Sequence, residues 1–233
     1  MTNLRIWKLA LAWLNIPLFA AFTMVCGSAA VCTAFGSSIS IFNTGEGPGG
    51  TALPLGQLDP HYDLINAPCT VPLTAITTIP NPAWTPNTPT ADWISPTGNG
   101  GVNVASPPGT YVYQTTFNLT GQDPSTAELS GNWASDNNAC IELNGVNTGV
   151  CLPFVGFTSL HPFSITGGFQ PGVNTLDFVV TNGQGTGDNP TGVIVEISGT
   201  ASLGTDPSPE PSSLLLIGTG LLGLSCVLRR RLF

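Results

Sequence analysis

The chain has 233 residues, of which 13 are Asp or Glu and only five are Lys or Arg, giving a formal net charge of −8. All five cations lie near the two ends of the chain: Arg5, Lys8, Arg229, Arg230 and Arg231. The long central part therefore excludes nucleic-acid binding, which needs a Lys/Arg footprint, and phosphate-loop chemistry, which needs its Lys. Gly and Pro are abundant, at 28 and 21 residues, but an apolar content of 42% with five Trp predicts a packed core of single-domain size.

Residues 1–30 are predicted to form a secretory signal helix that is removed on export. Arg5 and Lys8 supply its positive region, residues 9–25 supply an apolar stretch, and Ser28-Ala29-Ala30 offers a small-residue cleavage site. A retained N-terminal membrane anchor is the alternative interpretation. Both interpretations place the residues that follow outside the inner membrane.

Residues 31–204 are predicted to form one all-β domain, a jelly-roll-like β-sandwich. A two-residue apolar period recurs over residues 111–119, 127–133 and 176–180, and a sustained helical period does not occur. Short strands separated by turns are typical of sandwiches and jelly rolls. The Pro-rich residues 36–108 predict short edge strands and long loops, with residues 38–43 as their clearest strand.

The order of turn motifs resembles that of the galactose-binding-like jelly roll over residues 110–201. Asn144-Gly145 matches its strand-connecting hairpin, and the run from Pro171-Gly172 through Asn174 to Leu176 matches the turn that opens a later core strand. The resemblance implies a jelly-roll fold. It also implies carbohydrate binding as the commonest, though not obligatory, use of that fold.

Four cysteines remain after signal removal and before the C-terminal tail: Cys32, Cys69, Cys140 and Cys151. An even number in an exported protein predicts disulfides. Cys140 and Cys151 flank the Asn144-Gly145 hairpin, where simple register makes them diagonal neighbours unless a bulge adjusts it. We expect this pair to be bridged, with Cys32–Cys69 as the corollary, and we expect no zinc site because Cys-x-x-Cys spacing does not occur.

Trp84 and Trp93 lie in the loop-rich half, and two interpretations stay open for them. They either stack on sugar rings as a ligand platform or pack beneath the long loops. Trp133, in phase with Leu129, is predicted to be a core residue. Because no cation is available, any bound glycan is expected to be neutral, whereas an acidic glycan would need bridging calcium.

Two groups of polar residues are candidates for metal or acid–base chemistry. Asp59, His61 and Asp63 would share one face of an extended segment, although a turn and a hydrogen-bonded loop is the favoured interpretation. The Gly-rich residues 182–189 are predicted to be a flexible loop, with calcium binding as the alternative. His161 is predicted to be a surface or packing residue.

The chain offers no sequence-level catalytic triad, since it has two isolated His and no Gly-x-Ser-x-Gly elbow. Glycoside hydrolysis by a pair of carboxylates remains an open possibility for the function, because Glu128, Glu142 and Glu196 all lie on predicted strands. Carboxylates that alternate with apolar residues usually form a solvated face. We therefore expect a protein that is not an enzyme.

The C-terminal residues 205–233 have the layout of a processing tag. Pro209, Glu210 and Pro211 precede a predicted transmembrane helix at residues 212–228, and three arginines follow: Arg229, Arg230 and Arg231. The helix is at the short end of what spans a bilayer, and the arginines favour a cytoplasmic end. This combination resembles the PEP-CTERM sorting signal of Gram-negative bacteria, which implies recognition by exosortase at the inner membrane in organisms that secrete exopolysaccharide.

The sequence thus predicts an exported envelope protein, an inner-membrane intermediate that ends at the cell surface or in the extracellular matrix. The expected partners are exosortase and an extracellular polysaccharide, and the only cofactor left open is calcium. A carbohydrate-active enzyme and a purely structural matrix protein are the alternatives.

Overall fold

The structure is a computed structural model of the chain, and it describes residues 36–68, 71–99, 106–185 and 188–204. The predicted signal helix, both partners of the Cys32–Cys69 pair and the predicted transmembrane helix lie outside these ranges. None of the helices within the described ranges has the length and apolar character needed to cross a bilayer.

The described residues form two antiparallel sheets, as the two-residue period predicts. Their strands are β1 (Gly36–Ser38), β2 (Asp63–Asn66), β3 (Ile76–Thr77), β4 (Ile94–Ser95), β5 (Gly109–Asn118), β6 (Glu128–Asp136), β7 (Asn138–Leu143), β8 (Val146–Leu152), β9 (His161–Ile165), β10 (Val173–Asn182) and β11 (Gly192–Ser202). The first sheet has the order β3-β4-β11-β6-β9, with β1 also paired to β11, and the second has the order β2-β5-β10-β7-β8. Two short 3₁₀ helices, Pro124–Thr126 and Gly156–Thr158, join strands. The predicted all-β sandwich is confirmed.

The main core lies between the two sheets. Tyr111 and Tyr113 of β5 and Phe178 of β10 are fully buried on one side, and Trp133 of β6 faces them from the other. The ring centroids of Trp133 and Phe178 lie 5.7 Å apart, so these two aromatic residues join the sheets directly. The prediction that Trp133 is a core residue is confirmed.

A second, smaller core covers the outer face of the first sheet. Ala134 and Ile194, which alternate with inward-facing neighbours on β6 and β11, pack with Trp84, Ala91 and Trp93 from the Pro-rich half of the chain. The Pro-rich loops therefore cover a sheet face that would otherwise be exposed to solvent. This burial explains why the loops hold several apolar residues without long strands.

The strand predicted at residues 38–43 is wrong beyond its first residue, because β1 is Gly36–Ser38 and shares only Ser38 with that range. Regular pairing ends at Ser38, although the chain continues beside β11: Ile39 N–H donates to Gly199 O at 2.9 Å, and Thr44 N–H donates to Val195 O at 3.0 Å. The six residues 39–44 thus lie beside the five residues 195–199, which breaks the ladder as a bulge does. The Asn43 side chain compensates, since its Oδ1 accepts from Ile197 N at 2.8 Å.

Candidate functional site

The predicted disulfide between Cys140 and Cys151 is confirmed, and it bridges β7 and β8 at the open edge of the second sheet. The two residues are direct cross-strand partners, with Cα atoms 4.1 Å apart. A register shift between Cys140 and Glu142 brings them into line. Gly149, at φ 81°, supplies the left-handed residue of this bulge, and its N–H donates to Asn147 Oδ1 at 2.7 Å. Simple hairpin register would make the two cysteines diagonal neighbours, and the bulge makes them direct cross-strand partners.

The two jelly-roll motif fragments meet at one end of the sandwich. Asn144 and Gly145 have φ values of 53° and 75°, as a type I′ hairpin turn requires. Asn144 Nδ2 donates to Asn174 Oδ1 at 2.9 Å, and Asn144 Oδ1 accepts from Thr175 N at 3.1 Å. Asn174, which is fully buried, also holds Gln170 and Gly172 through their backbones. The hairpin turn and the start of β10 are therefore one hydrogen-bonded unit.

A cleft of about 360 Å³ lies beside this unit, between the edge strand β8 of one sheet and the edge strand β9 of the other. We call it the edge cleft. Its apolar lining residues are Leu143, Val146 and Ile165, and its polar lining residues include Asn147, Thr148 and Thr166. Each of the residues that line it is uncharged. Sequence analysis did not single out these residues, because only the pairing of strands shows that β8 and β9 become neighbouring edges.

The structure contradicts the sugar-platform interpretation of Trp84 and Trp93. The two side chains are 5% and 0% exposed, and their rings stack on each other with centroids 4.3 Å apart. A ligand platform needs an open ring face, and these faces are occupied by protein. The alternative interpretation, packing beneath the long loops, is confirmed. The two Trp side chains are buried because the outer face of the first sheet is apolar at Ala134 and Ile194, and they pack against it.

The Trp pair also holds a buried carboxylate. Trp84 Nε1 donates to Asp136 Oδ2 at 2.8 Å, and Asn137 Nδ2 donates to Asp136 Oδ1. Burial raises the pKa of Asp136 to about 6, and the bond from Trp84 opposes this rise. Trp93 Nε1 donates to Thr85 O at 2.8 Å, so both indoles satisfy their N–H within the protein. These contacts indicate a structural role for the pair.

The cluster at Asp59, His61 and Asp63 is a hydrogen-bonded loop, as the favoured interpretation predicts. Asp59 Oδ2 accepts from Gly45 N at 2.6 Å, and its Oδ1 accepts from the backbone N–H groups of His61 and Tyr62. Burial raises the pKa of Asp59, and these three bonds oppose the rise. The His61 ring stacks on Phe42 with centroids 3.7 Å apart. The carboxylate thus organises the loop instead of facing a ligand.

The three strand glutamates do not converge. Glu128 pairs with Thr200, and Glu196 pairs with Asn132, so their backbone positions are four residues, or roughly 13 Å, apart along adjacent strands. Their carboxylates accept from different neighbours, the Ser164 hydroxyl for Glu128 and the Thr90 hydroxyl for Glu196. Glu142 lies on β7 of the other sheet. Glycoside hydrolysis needs two carboxyl groups between about 5 and 9.5 Å apart. Among the described residues, no group of three or more His, Cys, Asp and Glu side chains is placed to hold a metal ion.

His161 and the loop at residues 182–189 also have local roles. His161 is half-buried on β9, with its Nε2 3.4 Å from Ser159 Oγ. Asn182 Nδ2 donates to Ser106 O, and Asn189 Nδ2 donates to Ser106 O and Gly183 O, each at 3.0 Å. The two asparagines thereby tie both ends of the loop to Ser106, three residues before β5. The side-chain N–H groups of these two asparagines are thus used for internal hydrogen bonds.

Comparison with known proteins identifies the tail. The family described as "PEP-CTERM protein-sorting motif" matches residues 209–231, so the chain carries this motif, including Pro209, Glu210, Pro211 and the three arginines. The motif implies exosortase-sorted export with a transient membrane anchor. No curated protein sequence matches the chain. Among solved structures, the CBM36-1 domain of a multidomain xylanase from the hindgut metagenome of Trinervitermes trinervoides is similar at 13% identity and a TM-score of 0.28, over 73% of this chain and 100% of that one.

Proposed function

We propose that this chain is a non-catalytic protein of the cell surface or extracellular matrix, delivered by exosortase and retaining extracellular polysaccharide through its β-sandwich. The observation that carries the proposal is the PEP-CTERM motif at residues 209–231, which follows a sandwich whose last strand ends at Ser202. The motif accounts for export. Because the sandwich precedes the motif in the chain, the sandwich is the domain that is exported.

Charge and cysteine chemistry support delivery to the outside. The cations lie at residues 5, 8 and 229–231, which favours a cytoplasmic location for both ends of the unprocessed chain. The intervening domain carries a disulfide, which forms and persists in oxidising compartments. Final residence at the surface or in the matrix, and not in the membrane, is the part of the proposal that goes beyond the motif.

The absence of catalysis is proposed from geometry. Glu128 and Glu196 lie four residues apart along adjacent strands and bond to different hydroxyl groups, and Asp59 is bound to three backbone N–H groups. Asp136 is enclosed by Trp84 and Asn137. The carbohydrate-active enzyme is therefore the weaker alternative, and the purely structural matrix protein differs from our proposal only in lacking a ligand.

The sorting step is tested by Glu210→Gln in a host that has an exosortase. The expected result is accumulation of the full-length chain in the inner membrane, because the acidic residue of the motif is lost. Asp206→Asn is the matched control: it removes the same charge four residues earlier and outside the matched motif, and it should be processed normally. If Glu210→Gln matures and localises like the wild type, exosortase sorting through this motif is wrong.

A further inference from the structure

We propose that the edge cleft between β8 and β9 is the polysaccharide-binding site of this protein and that it takes a neutral glycan, one or two sugar units at a time. The inference rests on the proposed function, since it names the site and ligand class for polysaccharide retention. The cleft volume of about 360 Å³ is at the lower end of the usual range of ligand sites, roughly 300–1,000 Å³. Such a volume suits a short stretch of a longer chain that continues into solvent at the open edge.

The charge of the cleft selects a neutral ligand. Its lining is uncharged, and the charged groups beside it are carboxylates: Glu128 Oε1 accepts from Ser164 Oγ, a cleft residue, at 3.1 Å, and Glu142 is the cross-strand partner of the cleft residue Asn147. The residues between 9 and 228 include no Lys or Arg, so the domain offers no fixed cation to a uronic acid or sulfate group. An acidic glycan would meet only like charge at this site.

The lining combines the two kinds of contact that a sugar ring uses. Val146 is 68% exposed and offers apolar surface to the C–H face of a ring, while the buried core residues Leu143 and Ile165 form the base of the cleft. Asn147 uses its Oδ1 to bind Gly149 N, and within the described residues neither its Nδ2 nor the Thr166 hydroxyl has a protein partner. These groups are free to bind sugar hydroxyls, which both donate and accept hydrogen bonds.

The walls of the cleft are held in place by bonds that do not involve a ligand. The Cys140–Cys151 bridge fixes β8 to β7, and Thr148 Oγ1 donates to Ile141 O at 2.8 Å. At the turn, Asn144 Nδ2 donates to Gly168 O at 3.0 Å, which ties the hairpin to the loop after β9. Both edge strands are thus pinned before any ligand arrives, which lowers the entropy cost of binding.

Two substitutions disable the cleft without disturbing the core. Val146→Asp places a charge on the apolar wall at a position that is already exposed. Gly167→Phe fills the space, because an added Cβ at Gly167 meets no atom within 4 Å and the backbone there is not left-handed. Val173→Asp is the matched control: Val173 is 65% exposed, lies at the start of β10 and is not part of the cleft lining. Both Asp variants add the same charge.

The test measures binding to the full chain, purified in a detergent without sugar groups, by isothermal titration. The probes are cellohexaose, maltohexaose and mannohexaose as neutral chains and an alginate hexamer as the acidic one. We expect at least one neutral hexamer to bind at low and high salt alike and alginate to fail. Val146→Asp and Gly167→Phe should weaken that binding about tenfold or more, and Val173→Asp should change it less than twofold, with unchanged circular dichroism in all three.

The possible outcomes distinguish an error in the proposed binding site from an error in the proposed function. If a neutral hexamer binds equally to wild type, Val146→Asp and Gly167→Phe, then polysaccharide binding stands and the edge cleft is the wrong site. Alginate binding as tight as that of the neutral chains would overturn the ligand class. If none of the probes binds, both the proposed polysaccharide retention and the proposed cleft site are wrong, and the purely structural matrix protein is favoured. The sorting proposal is independent of this result, because the Glu210→Gln experiment tests it.

Discussion

Replacing both Cys140 and Cys151 by Ala should lower the stability of the domain by about 2–3 kcal/mol. The bridge closes a loop with a sequence separation of 11. The chain-entropy relation gives about 2.8 kcal/mol at 25 °C for such a loop. Packing should contribute little, because Cys140 is half-buried and Cys151 is exposed on the outer face of the sheet, so the substitution leaves no core cavity.

Urea unfolding followed by Trp fluorescence measures this loss in the double variant. For a domain of this size the melting temperature should also fall, by about 5–11 °C. A loss below about 1 kcal/mol would show that the Asn144–Asn174 hydrogen bonds already constrain the hairpin and would refute the loop-closure argument. Reducing the double variant with dithiothreitol provides the control: a further loss of stability would reveal a second bridge, which tests the predicted Cys32–Cys69 pair.

Three further predictions follow from the charges and hydrogen bonds of the described domain. Because burial raises the pKa of Asp92 and Asp136 to about 6 from 3.8, the folded state binds more protons between these values, and stability should fall as pH rises from 4 to 7. The fall should be about 1–3 kcal/mol for Asp136 and smaller for Asp92, whose carboxyl is screened by solvent. Asp136→Asn should flatten that slope in urea titrations at several pH values, and an unchanged slope would contradict the assignment. Asn174→Ala should cost about 2–4 kcal/mol, because it leaves the partners of a fully buried side chain unsatisfied, and a loss under 1 kcal/mol would show that water replaces them. Trypsin should make no cut between residues 9 and 228 even in urea, as mass spectrometry of the digest would show, whereas chymotrypsin should cut the unfolded chain freely; any tryptic fragment from this region would contradict the prediction.

Most regular strands were predictable because they bury one face, so their apolar residues recur with a period of two. β5 and β10 agree with this pattern, and the Asn144-Gly145 turn fixed the hairpin. The first half of β11 is buried on both faces, because the Pro-rich loops cover Ile194. The Pro-rich half was harder to predict, since its apolar residues cover the outside of a sheet and do not form strands. Trp84 and Trp93 show the difficulty: a Trp in a loop has the same sequence signature whether its ring is open to a ligand or closed against Ile194.

The edge cleft was not predictable for a different reason. Its residues come from β7, β8 and β9 and from the loop after β9, and each segment looks like an ordinary strand or turn alone. Their proximity depends on β8 and β9 ending as the outer strands of two different sheets. Strand order is a property of long-range pairing, which a local period cannot show. The pairing of the two disulfide cysteines was predictable, but their direct cross-strand alignment was not, because the bulge at Gly149 sets the register.

A domain with eleven carboxylates at residues 36–204 and no Lys or Arg there must satisfy its buried acids without ion pairs. Three of them do so with neutral donors: Asp59 uses backbone N–H groups, Asp136 uses Trp84 and Asn137, and Asp177 accepts from Gln114 Nε2 at 2.8 Å. Neutral donors respond weakly to ionic strength, so these contacts should hold across the salt concentrations that an exported protein meets. Concentrating the cations at the chain ends also leaves the sorting arginines as the dominant topological signal. The same composition leaves the folded sandwich with eleven carboxylates around a cleft whose lining is uncharged, and this contrast is the reason that the ligand we propose for the cleft is neutral.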